Sequence, residues 1–544
     1  MGLDQDKSVD SVHLEATPEM TNPTGMKDSV CPDEVVGSAM GLKVALTSYR
    51  NAMLYSLFFC FSAILWGYDM QVSGGLLAAS EFRAVFGYTE ADGTTILPAE
   101  WQAAFNMIGT VGGMGGSLLC GPLSPYIGRR MTLAIACVIS TGSIFLQFFA
   151  FTRGVLLAGK LINGISLGMF LVTACAYCSE ACPVVLRGIT IAMVNVFVVI
   201  GQLLGNCLIK AFGGRSDNFA YRIPFAFQWL FPVILISGVF FCPESPYWYV
   251  QRGRHAEAKK SLEQFQTGGS IDSWLLEIQE TVRIEEESAK SAGYLDCFRG
   301  TDLRRTLIVI AVWTINSFSG VNFVLSYSTY FFQSNAPQVD NPFIFTNQFF
   351  PIVAGIPTSA SFDMGVGVTA VGVVGNIGSW FVINTIGRRA LFPGMFVLTV
   401  IVLIIGILDV LPNYNTSVAM GQCVLIIIWN FFYDLTLGPL GYVICGEMSS
   451  TRLRSYVVSI GFFTQNFWTL IMTLTVPYMI NPDQGNLRGK TGFIFFGFSV
   501  IATVWTYFCL PETKGRTFEQ LDHMFEQKIS ARKFAKYDQR PHEA

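Results

Sequence analysis

The sequence predicts an all-α membrane protein, with twelve transmembrane helices arranged as two six-helix pseudo-repeats. Three observations predict it. The 544 residues are 51% hydrophobic and only 13% charged, with a mean hydropathy of +0.46, whereas a water-facing surface normally needs charge on about a quarter of the chain. Apolar stretches long enough to cross a bilayer recur along the whole length. Short polar motifs of the first half return in the second at a nearly constant offset, the signature of internal duplication.

Residues 1–50 are polar and acid-rich, with no apolar run before Ala45, so they read as a cytoplasmic tail without a signal peptide. Asp6 occupies the position where a myristoylation pattern needs Ser or Thr. Twelve apolar stretches then centre on Phe61, Val111, Ile139, Ser166, Val198, Val233, Trp313, Val371, Val400, Ile428, Phe467 and Val500. The first six form a bundle over residues 51–242 and the last six another over 304–510. Between them, residues 243–303 carry Arg252, Arg254, Lys259, Lys260 and Glu285 to Glu287, the pattern of a cytoplasmic linker with short surface helices. Residues 511–544 form a cytoplasmic C-terminal tail.

Basic residues orient the spans. With both termini cytoplasmic, 27 of the 35 Lys and Arg fall inside, 7 fall outside, and Lys160 lies within a span. Asn415, in the sequon Asn415-Thr416-Ser417, then lies in an outside loop as a glycosylation site. A long outside connection from Pro337 to Ile356 joins the seventh and eighth spans. Gly112-Gly113-Met114-Gly115-Gly116 sits mid-span, where glycine lets helices approach closely.

The repeats carry the organisation. Gly128-Arg129-Arg130 returns as Gly387-Arg388-Arg389, Glu180 with Arg187 as Glu447 with Arg454, and Pro243-Glu244-Ser245 as Pro511-Glu512-Thr513. Two copied bundles that rock about a midplane site are the architecture of a transporter. Each repeated element falls on the inner side, where Arg and Glu at neighbouring helix ends can pair in one conformation and separate in another. Arg129, Arg130, Glu180, Arg187 and Glu244, with Arg388, Arg389, Glu447, Arg454 and Glu512, are therefore candidates for a cytoplasmic gate.

Other classes are excluded or unsupported. A net charge of −3 without a polybasic block argues against nucleic acid as a partner. The 13 Cys follow no disulfide spacing; Cys175, Cys178 and Cys182 cluster without a nearby His and read as small packing residues, not as metal ligands. No catalytic constellation, cofactor loop or Walker motif is present.

The same motifs resemble the sugar porter family of the major facilitator superfamily, from about residue 50 to 525. They are Gly128-Arg129-Arg130, Gly387-Arg388-Arg389, Tyr177-Cys178-Ser179-Glu180 leading to Arg187-Gly188, Pro243-Glu244-Ser245-Pro246 and Pro511-Glu512-Thr513-Lys514-Gly515. Tyr327-Ser328-Thr329-Tyr330-Phe331 and Tyr433-Asp434-Leu435-Thr436-Leu437-Gly438-Pro439 resemble the fungal branch with the α-glucoside (maltose-type) permeases. Departures from the family are equally specific. Pro125 and Asn384 stand where an Asp precedes each Gly-Arg-Arg, Asn316-Ser317 replaces a Gln-Gln pair, and Tyr442 replaces a Trp.

Charge within a span is costly, about 2.5 to 3.5 kcal/mol for Asp or Lys on insertion scales, and marks function by default. Asp69 lies about 7 Å below the outer end of the first span and Lys160 about 10 Å below that of the fourth, at 1.5 Å per residue. A pair at matched depth, released when a proton neutralises the carboxylate, is a physical basis for proton coupling. The resemblance implies the same, with an Arg more usual at the place of Lys160. Asn195 and Gln202 share one helix face of the fifth span. By the family pattern that face lines the sugar cavity with Asn316, Asn322 and Tyr442, and Gln465, Asn466 and Trp468 complete the set.

The resulting expectation is a proton-coupled symporter of the plasma membrane for a hexose or an α-glucoside/disaccharide, working by alternating access with no cofactor. A facilitative carrier and an exporter of a secondary metabolite stand as alternatives. A sugar sensor is disfavoured, because such sensors add long C-terminal tails and few residues follow Leu510.

Overall fold

A computed structural model describes residues 42–89, 95–213, 217–266, 271–288, 293–324, 358–411, 416–480 and 487–537, with the single residues 215 and 485. The N-terminal tail before Leu42, the segment 325–357 and the sequon residue Asn415 lie outside them. Twelve helices among the described residues are long and apolar enough to cross a membrane. They are Arg50–Gly75, Glu100–Ile127, Arg129–Phe148, Arg153–Ala181, Val184–Phe212, Phe219–Val239, Gly300–Val324, Val366–Thr385, Arg388–Val410, Val424–Met448, Arg454–Val476 and Thr491–Cys509. Every centre read from the sequence falls inside the corresponding span. Large apolar side chains such as Leu119, Phe381 and Ile501 cover the outside of the bundle, while Asp69, Lys160, Glu180 and Arg454 are buried within it. That inversion of a soluble protein suits a hydrocarbon surround.

Further elements lie before, between and beyond the spans. The helix Leu42–Ser48 already begins before the first span. The connection from the first to the second span forms a small antiparallel ladder pairing Tyr88 with Ile96 and Thr89 with Thr95. Between the sixth and seventh spans run the helices Pro246–Val250, His255–Phe265 and Ile271–Ser288, and past the last span runs Phe518–Glu526, started by a capping box between Thr517 and Gln520.

The second and fourth spans cross at the glycine run. A Cβ on Gly112 would lie 2.2 Å from the Leu161 carbonyl oxygen, and one on Gly116 would lie 1.9 Å from that of Ile165. Only a residue without a side chain permits this backbone contact.

The Gly-Arg-Arg turns are built alike in both halves. Gly128 and Gly387 take φ of +94° and +90°, extended positive-φ conformations essentially reserved for glycine. The following helices start with orphan N–H groups, and a glutamate from the same half satisfies two of them in each copy. Arg129 N donates to Glu244 Oε1 at 2.9 Å and Arg130 N to Oε2 at 3.0 Å; Arg388 N and Arg389 N donate to the two Glu512 oxygens at 2.9 and 3.0 Å. Burial pushes the Glu244 carboxyl above the usual carboxylate value, and the backbone donors and the Arg129 charge pull it back only in part. A Cβ at Gly128 would stand 2.5 Å from Glu244 Oε2. Gly128→Ala should therefore cost about 1–3 kcal/mol in backbone strain alone, read as a lowered unfolding temperature of the purified protein; an unchanged temperature would contradict this account.

Two spans are broken by proline among the described residues. Pro232 cannot donate to the Gln228 carbonyl, and the sixth span parts there into Phe219–Phe227 and Leu230–Val239. Pro439 cannot donate to the Leu435 carbonyl, and the tenth span parts into Thr416–Leu435 and Leu437–Met448.

Candidate functional site

A central cavity of about 220 Å³ lies between the halves, walled by both. Asp69, Lys160, Asn195, Gln202, Asn316, Asn322, Tyr442, Gln465 and Asn466 all line it. Trp468 does not: it packs on Phe318 and donates Nε1 to Thr314 Oγ1 at 3.0 Å, away from the cavity. Trp66, Trp313 and Tyr433 supply aromatic rings to the lining instead. The amides differ in how committed they are. Asn195 donates to Asn376, Asn466 to the Phe462 carbonyl, and Asn316 accepts from the Tyr433 hydroxyl. Gln202 and Asn322 have no partner among the described residues, so each presents a full donor and acceptor set to the cavity.

The buried charges do not meet as a direct pair. Lys160 Nζ donates to Ser73 Oγ at 2.5 Å, and Ser73 Oγ donates to Asp69 Oδ2 at 3.4 Å. The sequence brings the two charges into one neighbourhood, but Ser73, one turn along the helix from Asp69, stands between them. Asp69 Oδ1 accepts from Asn163 Nδ2 and from Gln228 Nε2, each at 3.1 Å. Gln228 reaches it from the broken sixth span. Three neutral donors thus hold a carboxylate whose cation is one residue removed.

A second carboxylate escaped the sequence reading as a site residue. Asp434, just before the break in the tenth span, also lines the cavity. Its Oδ1 accepts from Asn376 Nδ2 at 2.9 Å and its Oδ2 from Asn430 Nδ2 at 3.3 Å. The signal was available, since an Asp inside a span is costly wherever it falls.

At the arginine-rich end, Glu180 receives Arg129 Nη2 at 2.8 Å and Arg454 Nη1 at 3.3 Å. The first contact is within the first half; the second joins the halves. Arg388 forks onto Glu447, with Nε to Oε2 at 2.7 Å, and Thr513 Oγ1 adds a bond to Glu447 Oε2. The repeat predicts that Arg187 pairs with Glu447 as Arg454 does with Glu180, but Arg187 instead stacks on Phe518 at 3.7 Å. Arg454 covers the same ring at 4.0 Å, so a C-terminal aromatic sits against one arginine of each half.

The remaining gate candidates stay within their own halves. Arg130 Nη2 donates to the Phe240 carbonyl and Arg389 Nη2 to that of Tyr507, and Glu244 and Glu512 cap helix starts. They brace helix ends and do not bridge the two bundles. Where Pro125 replaces the familial Asp, its carbonyl accepts from Trp248 Nε1 at 2.9 Å and from Arg252 at 3.3 Å, so cationic and indole donors are satisfied without a carboxylate.

The chain matches the family model described as "Sugar (and other) transporter" over residues 55–525. The general alpha-glucoside permease of Saccharomyces cerevisiae (strain S288c) is 31% identical over 508 residues, covering 91% of this chain and 79% of the permease. Maltose permease MAL61 of S. cerevisiae is 29% identical over 506 residues, with the same coverage of 91% and 79%. Among solved structures, the MFS proton:xylose symporter XylE bound to 6-bromo-6-deoxy-D-glucose superposes with a TM-score of 0.73 at 19% identity, covering 89% of this chain and all (100%) of that one. The inward open conformation of XylE from E. coli gives a TM-score of 0.60 at 18% identity over 87% of this chain and 99% of that one. These likenesses establish the major facilitator fold.

Proposed function

The chain belongs to the sugar (and other) transporter family, and from that premise we propose that it is a proton-coupled sugar symporter of the plasma membrane, with both termini cytoplasmic. An α-glucoside is the favoured substrate, since the similar yeast proteins are named for that class. The observation that carries the reading is the single cavity that brings uncommitted amides, aromatic faces and a buried carboxylate together between the two halves. Hydroxyl groups of a sugar need partners that both donate and accept, and its CH faces need aromatic surface. Gln202 and Asn322 offer the first; Trp66 and Tyr433 offer the second, with the buried Trp313 in the same lining.

In this reading a proton taken up by Asp69 weakens its link through Ser73 to Lys160, and the sugar draws the two halves together around it. Reopening towards the cytoplasm requires Arg454 to leave Glu180. The asymmetry of the gate supports this direction of work: one inter-half ion pair among the described residues, backed by Phe518 between Arg187 and Arg454, is a lock that can be released without dismantling the helix caps.

The direct experiment is uptake of labelled glucose, maltose, lactose and cellobiose in a transport-deficient yeast, at acidic and neutral external pH, with and without an uncoupler. Accumulation of maltose that collapses with the uncoupler is expected; accumulation of no sugar would overturn the reading. Gln202→Ala and Asn322→Ala should each lose most uptake, at least tenfold if one sugar hydrogen bond of about 1.4 kcal/mol is removed from the bound state, with surface expression unchanged. Normal uptake in both would remove these residues from the sugar pocket.

A further inference from the structure

We propose that Asp434 is a second proton-binding site of the transport cycle, carried by the second half and coupled to the first through Asn376 and Asn195. The proposal rests on the symport reading above and adds to it a carboxylate outside the link from Lys160 through Ser73 to Asp69.

Asp434 is 4% exposed and packed against glycine: a Cβ on Gly372 would lie 2.4 Å from its Oδ2. No Lys, Arg or His among the described residues pairs with it. The eighth span presents Asn376 and Gly372 to it, the fifth presents Asn195 and Val199, and the tenth presents Asn430, Tyr433 and Gly438. Tyr433 is the adjoining titratable group among the described residues of these elements; Tyr442, Asp69 and Lys160 line the same cavity. A buried carboxylate answered only by neutral amides has one inexpensive way to lose its charge, which is to take a proton. In that step a hydronium ion of the cavity gives its proton to an Asp434 oxygen, leaving water and a neutral carboxyl. The reverse step returns the proton to water on the other side.

The amide chain ties this step to the position of the halves. Asn195 Nδ2, from the first half, donates to Asn376 Oδ1 at 2.7 Å. With its oxygen so occupied, Asn376 must turn its NH2 to Asp434, a geometry that serves the charged carboxylate. When rocking withdraws Asn195, the Asn376 amide is free to turn over and accept a hydrogen bond from a protonated Asp434. Protonation of Asp434 and separation of the halves at this level therefore favour each other.

The test is a pH titration of the full-length protein in proteoliposomes by infrared difference spectroscopy, on wild type, Asp434→Asn and Asp69→Asn. A protonated-carboxyl C=O band is expected to grow on acidification, to vanish in D434N and to persist in D69N. Asn195→Leu should bring the band in at about tenfold lower proton concentration, the effect of losing one hydrogen bond that holds the charged form. Should D434N fail to fold, Asp434→Glu must move the band's frequency. In the same liposomes the sugar gradient that nulls the proton current should show one proton fewer per sugar in D434N. A band unchanged in D434N, or unmoved in D434E, would overturn the proposal, as would an unchanged proton-to-sugar ratio. If the wild type moves no sugar with protons, the symport reading and the coupling role fall together, while the band still decides whether Asp434 binds a proton.

Discussion

Asp69→Asn is expected to abolish proton-driven accumulation while sparing exchange. The side chain keeps its shape and can still accept from Asn163 and Gln228, which hold one oxygen of the carboxylate. It loses the charge that answers Lys160 through Ser73, and with it the proton that would be carried inward. Sugar should then equilibrate across the membrane without being concentrated. Labelled uptake against a proton gradient, and counterflow without one, separate the two outcomes in one vesicle preparation. Accumulation equal to wild type would remove Asp69 from the coupling.

The second large effect is expected at Glu180. This carboxylate is buried and is paired in charge with both Arg129 and Arg454, while the Arg454 side-chain nitrogens make no hydrogen bond among the described residues. Glu180→Gln removes the carboxylate that two buried guanidinium groups share, a change that costs about 3–5 kcal/mol in buried pairs. Because one of the two contacts joins the halves, part of that cost is relieved by opening the arginine-rich end. A differential of even about 3 kcal/mol moves the closed-to-open ratio by about a hundredfold. Cys175, now buried with its thiol 3.7 Å from the Tyr442 carbonyl of the other half, should become reactive to a thiol reagent in the mutant, and concentrative uptake should fall. Protection of Cys175 as in wild type, together with normal uptake, would show that Glu180 does not hold the halves together.

Much of this site was open to a reader of the sequence, for reasons of different strength. Asp69 and Lys160 were found because charge is scarce and expensive in a bilayer, so each instance stands out. Asn195 and Gln202 were found because a spacing of seven residues fixes a common helix face. Ser73, Asn163 and Gln228 were not found, although they hold Asp69. They are ordinary polar residues on three different elements, and their convergence depends on how the first, fourth and sixth spans are rotated against one another and on the break before Pro232. Asp434 carried the same signal as Asp69, yet it entered only as part of a resemblance motif. The arginine-rich end shows the converse case. The repeat implied symmetric pairs, but Arg187 turns to Phe518, because the C-terminal helix packs under the bundle at that point and breaks the symmetry.

What the sequence determined by itself is the class of machine: twelve spans, two copies, few charges and repeated arginine turns. Those properties follow from the bilayer, which demands apolar segments of a set length and leaves each of them readable without its neighbours. Only the tertiary structure decided the wiring. Among the described residues it placed Ser73 between the buried charges, ran an amide chain from Asn195 to Asp434 across the two halves, left Gln202 and Asn322 uncommitted in the cavity, and joined the bundles at the arginine-rich end by the ion pair of Arg454 with Glu180. Hydrogen bonds and ion pairs act over about 3 Å, so they depend on helix rotation and proline breaks that no periodicity along the chain records.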